Sequence, residues 1–325
     1  MRRREFVGLV GGAVAWPIAA RAQQADKLYR IGYLGVASAA AQATRMSAFR
    51  AGLTALGYVE GKNIVIEERR AEGSYDQLAA LTAQLIELKV DVIVTHSTPG
   101  VLAAKRATTT IPIVNASAGD VVASGLVDSI ARPGGNVTGL TFFNPELAGK
   151  RLELLREAMP GLERVGALIN SANPVNAPIL SVMKQTAQAL KLELFEFAIR
   201  DVADLEGAFA AMAAKPVGAF VISDDPMLIY SVETSAKLAL KHRLASCGFV
   251  EIARAGGFVG HGVDFPDMWR RAATFVDKIL KGAKPADLPI EQSTKFVTSV
   301  NLKTAKEIGI DVPTSLLLRA DEVIE

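Results

Sequence analysis

Polar side chains stand where three candidate strands end, each shortly before a proline. The three stretches are 94–99, 169–174 and 222–226, which end in Pro99, Pro174 and Pro226. Ser, Thr, Asn and Asp cap helices and proline suits the first helical turn, so each stretch predicts a helix start. A helix start directs free N–H groups and a positive dipole at the strand ends, which suits a carboxylate or another anion. The alternative is that these are only well-capped helices.

These stretches and their neighbours supply the candidate binding residues. Asp225 holds the cap position, whereas Asp224 either pairs with a ligand ammonium or faces solvent. Asp120 is a weaker candidate, for which a turn is the favoured interpretation. Phe142 and Phe143 follow a predicted hinge strand and either stack on a planar ligand or belong to the interlobe core, and the same alternatives apply to Tyr230 and Phe249. The candidate ligand-binding set is Ser97, Thr98, Ser117, Phe142, Asn173 and Asp224.

Signals of catalysis are weak. The sequence contains neither a GxSxG nucleophile motif nor a GxxxxGK[ST] phosphate loop. His96 and Ser97 are adjacent, but neighbouring side chains at a strand end point to opposite sides and do not form a base–nucleophile pair. The three histidines lie far apart, and Cys247 is the single cysteine. We therefore expect no enzyme, no cofactor and no metal site.

The sequence around these residues alternates between short apolar runs, which are typical of buried strands, and patterns typical of amphipathic helices. Runs at 30–34, 90–95 and 111–115 predict strands, and helix faces lie between them; the rhythm breaks near 132–143 and then restarts. This predicts an α/β fold of two doubly wound parallel-sheet lobes joined by a three-segment hinge. We expect lobe 1 to comprise 23–140 and 263–288, and lobe 2 to comprise 141–262 and 289–325. The glycine-rich stretch 256–260 is expected to form a turn.

Charge and hydropathy divide the 325-residue chain at its N-terminus. Half of the residues are hydrophobic, which is enough for a large core, and the net charge is +2. Residues 1–22 hold four arginines and one glutamate, so the rest carries −1, which argues against a nucleic-acid binder. The basic start, the apolar run from Phe6 to Ala20 and the motif Ala20–Ala22 predict an export signal cleaved after Ala22. An uncleaved membrane anchor is the alternative.

Several motifs together resemble the ABC-transporter substrate-binding family that includes tryptophan- and tyrosine-binding proteins. They are LGYVEGKNI at 56–64, ARPGGNVTGL at 131–140 and NLKTAK at 301–306. The resemblance runs from about Tyr29 to the C-terminus. It differs at 256–262, where His261 stands in place of a tyrosine that relatives often carry, and the lipobox cysteine of the lipoprotein members is absent near Ala22.

The resemblance implies a type I periplasmic-binding-protein architecture and a receptor that delivers a small solute to an inner-membrane permease. An aromatic amino acid or aromatic carboxylate is the expected solute, and the receptor is expected to be a periplasmic monomer. Ser97 or Thr98 would hold a carboxylate, Asp224 an ammonium if the ligand has one, and Phe142 would stack on the ligand. The alternatives are a sensor domain that presents the same closed shape to a membrane receptor, and an exported hydrolase.

Overall fold

The computed structural model describes residues 27–142, 144–173 and 175–325. The expected export signal, Phe143 and Pro174 lie outside this part of the chain. Within it, none of the helices combines the length and the apolar character that a membrane crossing requires.

Thirteen β-strands of the described residues form two separate sheets, in agreement with the predicted α/β class. The first sheet has the order β11-β5-β4-β3-β1-β2, and all of its pairs are parallel. Its strands are β1 (Tyr29–Gly35), β2 (Ile64–Arg70), β3 (Val92–Thr95), β4 (Ile113–Gly119), β5 (Val137–Phe142) and β11 (Glu291–Gln292).

The second sheet has the order β13-β12-β10-β9-β8-β6-β7, in which only the β10–β12 pair is antiparallel. Its strands are β6 (Arg164–Asn170), β7 (Glu193–Ile199), β8 (Ala219–Ile222), β9 (Ala245–Gly248), β10 (Val259–Val263), β12 (Phe296–Asn301) and β13 (Glu322–Ile324). The expected turn at 256–260 is therefore a turn only in its first half, since β10 begins at Val259.

Helices cover the faces of both sheets, and their apolar sides supply the cores. In order they are α1 (Ala39–Ala55), α2 (Leu78–Glu87), α3 (Ser97–Ala107), α4 (Asn144–Ala158), α5 (Asn176–Ala189), α6 (Leu205–Ala214), α7 (Pro226–Tyr230), α8 (Val232–Lys241), α9 (Val250–Arg254), α10 (Phe265–Leu280), α11 (Leu302–Ile308) and α12 (Thr314–Leu317). Met46, Phe49 and Leu53 recur at helical spacing on α1 and are all buried.

The chain passes between the two sheets three times: after β5, after β10, and between β11 and β12. The expected boundaries at 140 and 288 differ from these positions. Thr141 and Phe142 still pair with Ala118 and Gly119, so the first sheet extends through the end of β5. The two-residue strand β11 pairs with β5, and the last crossing therefore lies after Gln292. The middle crossing, after Val263, lies one residue from the expected boundary at 262/263.

Helix α10 returns from the second sheet to complete the first lobe. Trp269 is fully buried, and its ring meets that of Tyr33 edge to face at 5.8 Å between centroids. Gly52 on α1 allows the close approach, because a Cβ there would lie 2.4 Å from the carbonyl oxygen of Arg270. The first lobe is thus built from two distant parts of the sequence.

Candidate functional site

A small cavity lies between the two sheets, at the carboxyl ends of their strands. All six candidate residues of the sequence analysis line it: Ser97, Thr98, Ser117 and Phe142 from the first lobe, and Asn173 and Asp224 from the second. That these residues contact a ligand remains a prediction.

The start of α3 differs from the predicted cap. His96, not Ser97 or Thr98, occupies the N-cap position, and its side chain makes no capping bond. Ser97 belongs to the first turn and has a φ of +59°, a left-handed conformation that costs a non-glycine residue about 1–2 kcal/mol. Its Oγ is buried and has no hydrogen-bond partner among the described residues. Backbone strain and an unpaired hydroxyl therefore coincide at the cavity wall.

His96 lies beside Ser97, lines the cavity and is 3% exposed. Its Nε2 accepts a hydrogen bond from the Val36 N–H at 3.2 Å and lies 3.0 Å from Gln42 Nε2. Burial, together with the charges of Arg45 and Arg70, lowers the pKa of His96 to about 3, so the ring is neutral at physiological pH. A neutral ring that accepts at Nε2 carries its hydrogen on Nδ1, as assigned from this network.

Ser117 reaches the cavity through an irregularity in β4. The register between β4 and β5 shifts between Asn115 and Ala118, which is a β-bulge. Opposite the bulge, Gly139 has a φ of +128°, and a Cβ there would lie 2.1 Å from the Asn115 carbonyl oxygen. Only glycine fits this position, so Gly139 allows β5 to approach the β4 backbone closely at the bulge.

Phe142 packs in the core and also lines the cavity, and its stacking on a ligand stays a prediction. It is 4% exposed and meets Phe265 edge to face, with 5.6 Å between ring centroids. The guanidinium carbon of Arg45 lies 4.3 Å from the Phe265 ring centroid. Phe249, by contrast, is fully buried and does not line the cavity.

Of the three helix caps predicted from the sequence, the structure confirms the one at Asp225. It accepts hydrogen bonds from the Met227 N–H at 2.9 Å, from Asn170 Nδ2 at 3.0 Å and from Asn173 Nδ2 at 2.8 Å. Burial raises its pKa despite these bonds. Asn173 therefore lines the cavity while its side-chain amide donates a hydrogen bond to Asp225. Asp120 caps a turn, as favoured, by accepting from the Ala123 N–H at 3.0 Å.

Asp224 does not face solvent, because its carboxylate is engaged by Arg151. The Nη1–Oδ2 distance is 2.5 Å and the Nη2–Oδ1 distance is 2.9 Å. The Arg151 side chain is fully buried and that of Asp224 is 2% exposed. Arg151 also donates from Nε to the His261 carbonyl oxygen at 2.8 Å. The charge of Asp224 is thus compensated inside the protein.

Polar contacts between described residues join the lobes across the cleft. Arg45 pairs with Glu251 at 2.9 Å, Tyr75 Oη lies 3.4 Å from Asp225 Oδ2, and Gln42 donates to Tyr230 Oη. The first residue of each pair belongs to the first lobe and the second to the second lobe. The structure is therefore a closed arrangement of the two lobes.

Several lining residues could not be identified from the sequence, among them Arg45, Asn176, Ile179, Ile229 and Phe265. Arg45 and Phe265 lie on helices α1 and α10 rather than at a strand end. Only the three-dimensional arrangement brings them to the cavity. The described ranges contain no group of three or more His, Cys, Asp or Glu side chains arranged to hold a metal ion.

Several known proteins are similar to this chain in sequence or in structure. A tyrosine-binding protein of Clostridioides difficile is 25% identical over 256 residues, which are 78% of this chain and 73% of the relative. A Streptococcus pneumoniae ABC domain in complex with L-Trp superimposes with a TM-score of 0.85 at 26% identity, covering 92% of this chain and 100% of that one. A conserved domain protein of Vibrio cholerae gives 0.86 at 26% identity, covering 91% and 99%.

The family model described as "ABC transporter substrate binding protein" matches residues 31–324, nearly all of the described chain. The two-lobed fold and the motifs noted in the sequence agree with this match. The chain belongs to the ABC transporter substrate-binding protein family and has the type I periplasmic-binding-protein fold.

Proposed function

We propose that this protein is the receptor of an ABC uptake transporter that captures a small solute between its lobes and delivers it to an inner-membrane permease. The observation that carries the proposal is the interlobe cavity, which both lobes line and which cross-lobe contacts close. A solute that touches both walls favours the closed state by its difference in affinity for the two states. The permease recognises that closed shape.

The solute is an aromatic amino acid or an aromatic carboxylate. Phe142 and Phe265 offer aromatic surface to the cavity, and Ser97 offers an unpaired hydroxyl beside them. The tyrosine-binding and L-Trp-bound relatives support this solute class. The protein acts as an exported periplasmic monomer and releases its solute unchanged. Ser97 Oγ makes no hydrogen bond to His96, which agrees with a binding role rather than a hydrolytic one.

A thermal-shift screen tests this function with the purified protein and a library of amino acids, aromatic carboxylates and small peptides. A ligand at a hundred times its Kd adds about 2.7 kcal/mol of stability, which is a shift of several degrees. We expect a hit among the aromatic compounds, recovered unchanged by mass spectrometry. Chemical conversion of the hit would favour an enzyme, and a screen in which no aromatic compound stabilises the protein would refute the proposed solute class.

A further inference from the structure

The charges at the cavity wall decide between the two solute classes. Among the described lining residues, only Arg45 and Asp224 carry a formal charge, because His96 is neutral. Each has a partner of opposite charge: Glu251 for Arg45 and Arg151 for Asp224. The charges of these two pairs cancel, so the cavity wall has no net charge.

A ligand ammonium finds no uncommitted carboxylate on this wall. Both oxygens of Asp224 accept from Arg151, whose fully buried guanidinium has no other carboxylate partner in the described chain. An ammonium that approached Asp224 would therefore also approach a buried cation of its own sign. Asp225, the neighbouring acid, does not line the cavity and accepts three N–H donors of the scaffold. Binding an ammonium here would remove it from water without a compensating charge.

A ligand carboxylate, by contrast, finds several donors. The Nδ1–H of His96 has no acceptor among the described residues, while its Nε2 is fixed by Val36 and Gln42. The Ser97 hydroxyl is unpaired. Arg45, whose side chain is 8% exposed, uses Nη2 for Glu251 and presents its guanidinium face to Phe265. Donors to a charged acceptor form the stronger class of hydrogen bond.

We propose that the solute is an aromatic carboxylate that carries no ammonium group, held by His96 Nδ1–H and Ser97 Oγ–H. This inference rests on the proposed function and narrows its solute class. The aromatic part lies against Phe142 and Phe265, and the carboxylate lies at the start of α3. Asp224 shapes the opposite wall through its pair with Arg151 and leaves no place for an α-amino group.

Matched ligand pairs test the inference by calorimetric titration of the purified protein. The pairs are phenylalanine with 3-phenylpropionate, tyrosine with 3-(4-hydroxyphenyl)propionate, and tryptophan with indole-3-propionate. Within each pair the ring and the carboxylate are the same, and only the ammonium differs. We expect the tightest-binding acid to exceed its amino acid in affinity by at least tenfold.

A smaller ratio, or tighter binding of the amino acid, would overturn the inference and leave the proposed function in place. Failure of all six compounds to bind would instead overturn the proposed aromatic solute class, and the inference with it. These two failures are therefore distinguishable in one set of titrations.

A pair of variants at His96 provides a second readout. His96→Gln places an acceptor near the Nε2 position but removes the Nδ1–H proposed to bind the carboxylate, so we expect at least a tenfold loss of affinity for the bound acid. His96→Asn places an N–H near the Nδ1 position and should bind that acid at least fivefold more tightly than His96→Gln does. If the two variants bind the acid equally, His96 does not donate to the carboxylate.

Discussion

Arg151 and Asp224 form a two-point ion pair across 73 residues of sequence, and neither side chain is open to solvent. Removal of one partner of a buried ion pair costs about 3–5 kcal/mol, because the other charge remains buried. We therefore expect Asp224→Asn to lower the free energy of unfolding by this amount. Urea denaturation of the variant measures it.

The double variant Arg151→Met/Asp224→Ala is the control, since it leaves no uncompensated charge. We expect it to recover most of the stability that Asp224→Asn loses. A double variant that is less stable than the single one would show that the pair does not act as a unit.

The pKa of His96 predicts a specific dependence of stability on pH. Above pH 6.5 the folded and unfolded states both hold a neutral ring, so His96 contributes no pH dependence there. Below 6.5 the unfolded ring binds a proton that the folded ring, with its pKa of about 3, does not. As the pH is lowered from 6.5 towards 3, this group therefore reduces the free energy of unfolding by about 1.4 kcal/mol per pH unit.

Denaturation of the wild type and of His96→Gln at pH 7, 6, 5 and 4 isolates this contribution. His261, whose pKa is also lowered by burial, acts equally in both proteins and cancels from the difference. The gap between the two unfolding free energies should change steadily below pH 6.5. Parallel curves would mean that the pKa of His96 is the same in the folded and unfolded states.

Tyr75 tests whether cross-lobe contacts set the closed population. Its hydroxyl lies 3.4 Å from Asp225, and Tyr75 is not among the residues that line the candidate binding cavity. Tyr75→Phe should weaken binding about fivefold, which corresponds to the roughly 1 kcal/mol of a typical hydrogen bond. Because the change acts on lobe closure, the factor should be the same for every ligand.

Tyr29→Phe is the matched control, since Tyr29 lies on β1 of the same lobe and its hydroxyl makes no hydrogen bond to any described group. Titration with two ligands of different size checks the prediction. A factor that differs between the ligands would indicate a direct contact rather than an effect on closure.

Gly139 occupies a backbone position that does not accommodate a side chain. Gly139→Ala would combine a strained φ of +128° with a Cβ 2.1 Å from the Asn115 carbonyl oxygen. We expect a loss of about 3 kcal/mol or more, from strain and from displacement of the β4 bulge. Gly135→Ala is the control, because a Cβ there meets nothing within 4 Å. Thermal unfolding of both variants measures the difference, and equal midpoints would contradict the prediction.

The sequence predicted the fold well because each strand of a buried parallel sheet is a continuous apolar run. The run at 90–95 became β3, and Met46, Phe49 and Leu53 became the buried face of α1. It could not predict β11, since a two-residue strand has no periodicity. The last hinge crossing therefore lies later than expected.

At the site, the sequence found residues at strand ends, because parallel strands bring their carboxyl ends to one edge. It could not find Arg45 or Phe265, which lie on helices far away in the chain. The Arg151–Asp224 pair was also beyond its reach, since no local pattern links side chains so distant in sequence. The caps at 97–98 were wrong because β3 is followed by one more extended residue, His96.

The return of α10 to the first lobe has a consequence for the order in which the protein folds during synthesis. When the ribosome has completed β5, the face of the first sheet that holds Tyr33 still lacks Trp269 and Phe275, which are buried there in the finished protein. The second sheet is likewise incomplete until β12 has been synthesised. Neither lobe can complete its core from a continuous segment, so these non-local contacts are formed late and slowly. A nascent chain that ends before Phe265 therefore exposes apolar surface in both lobes at once.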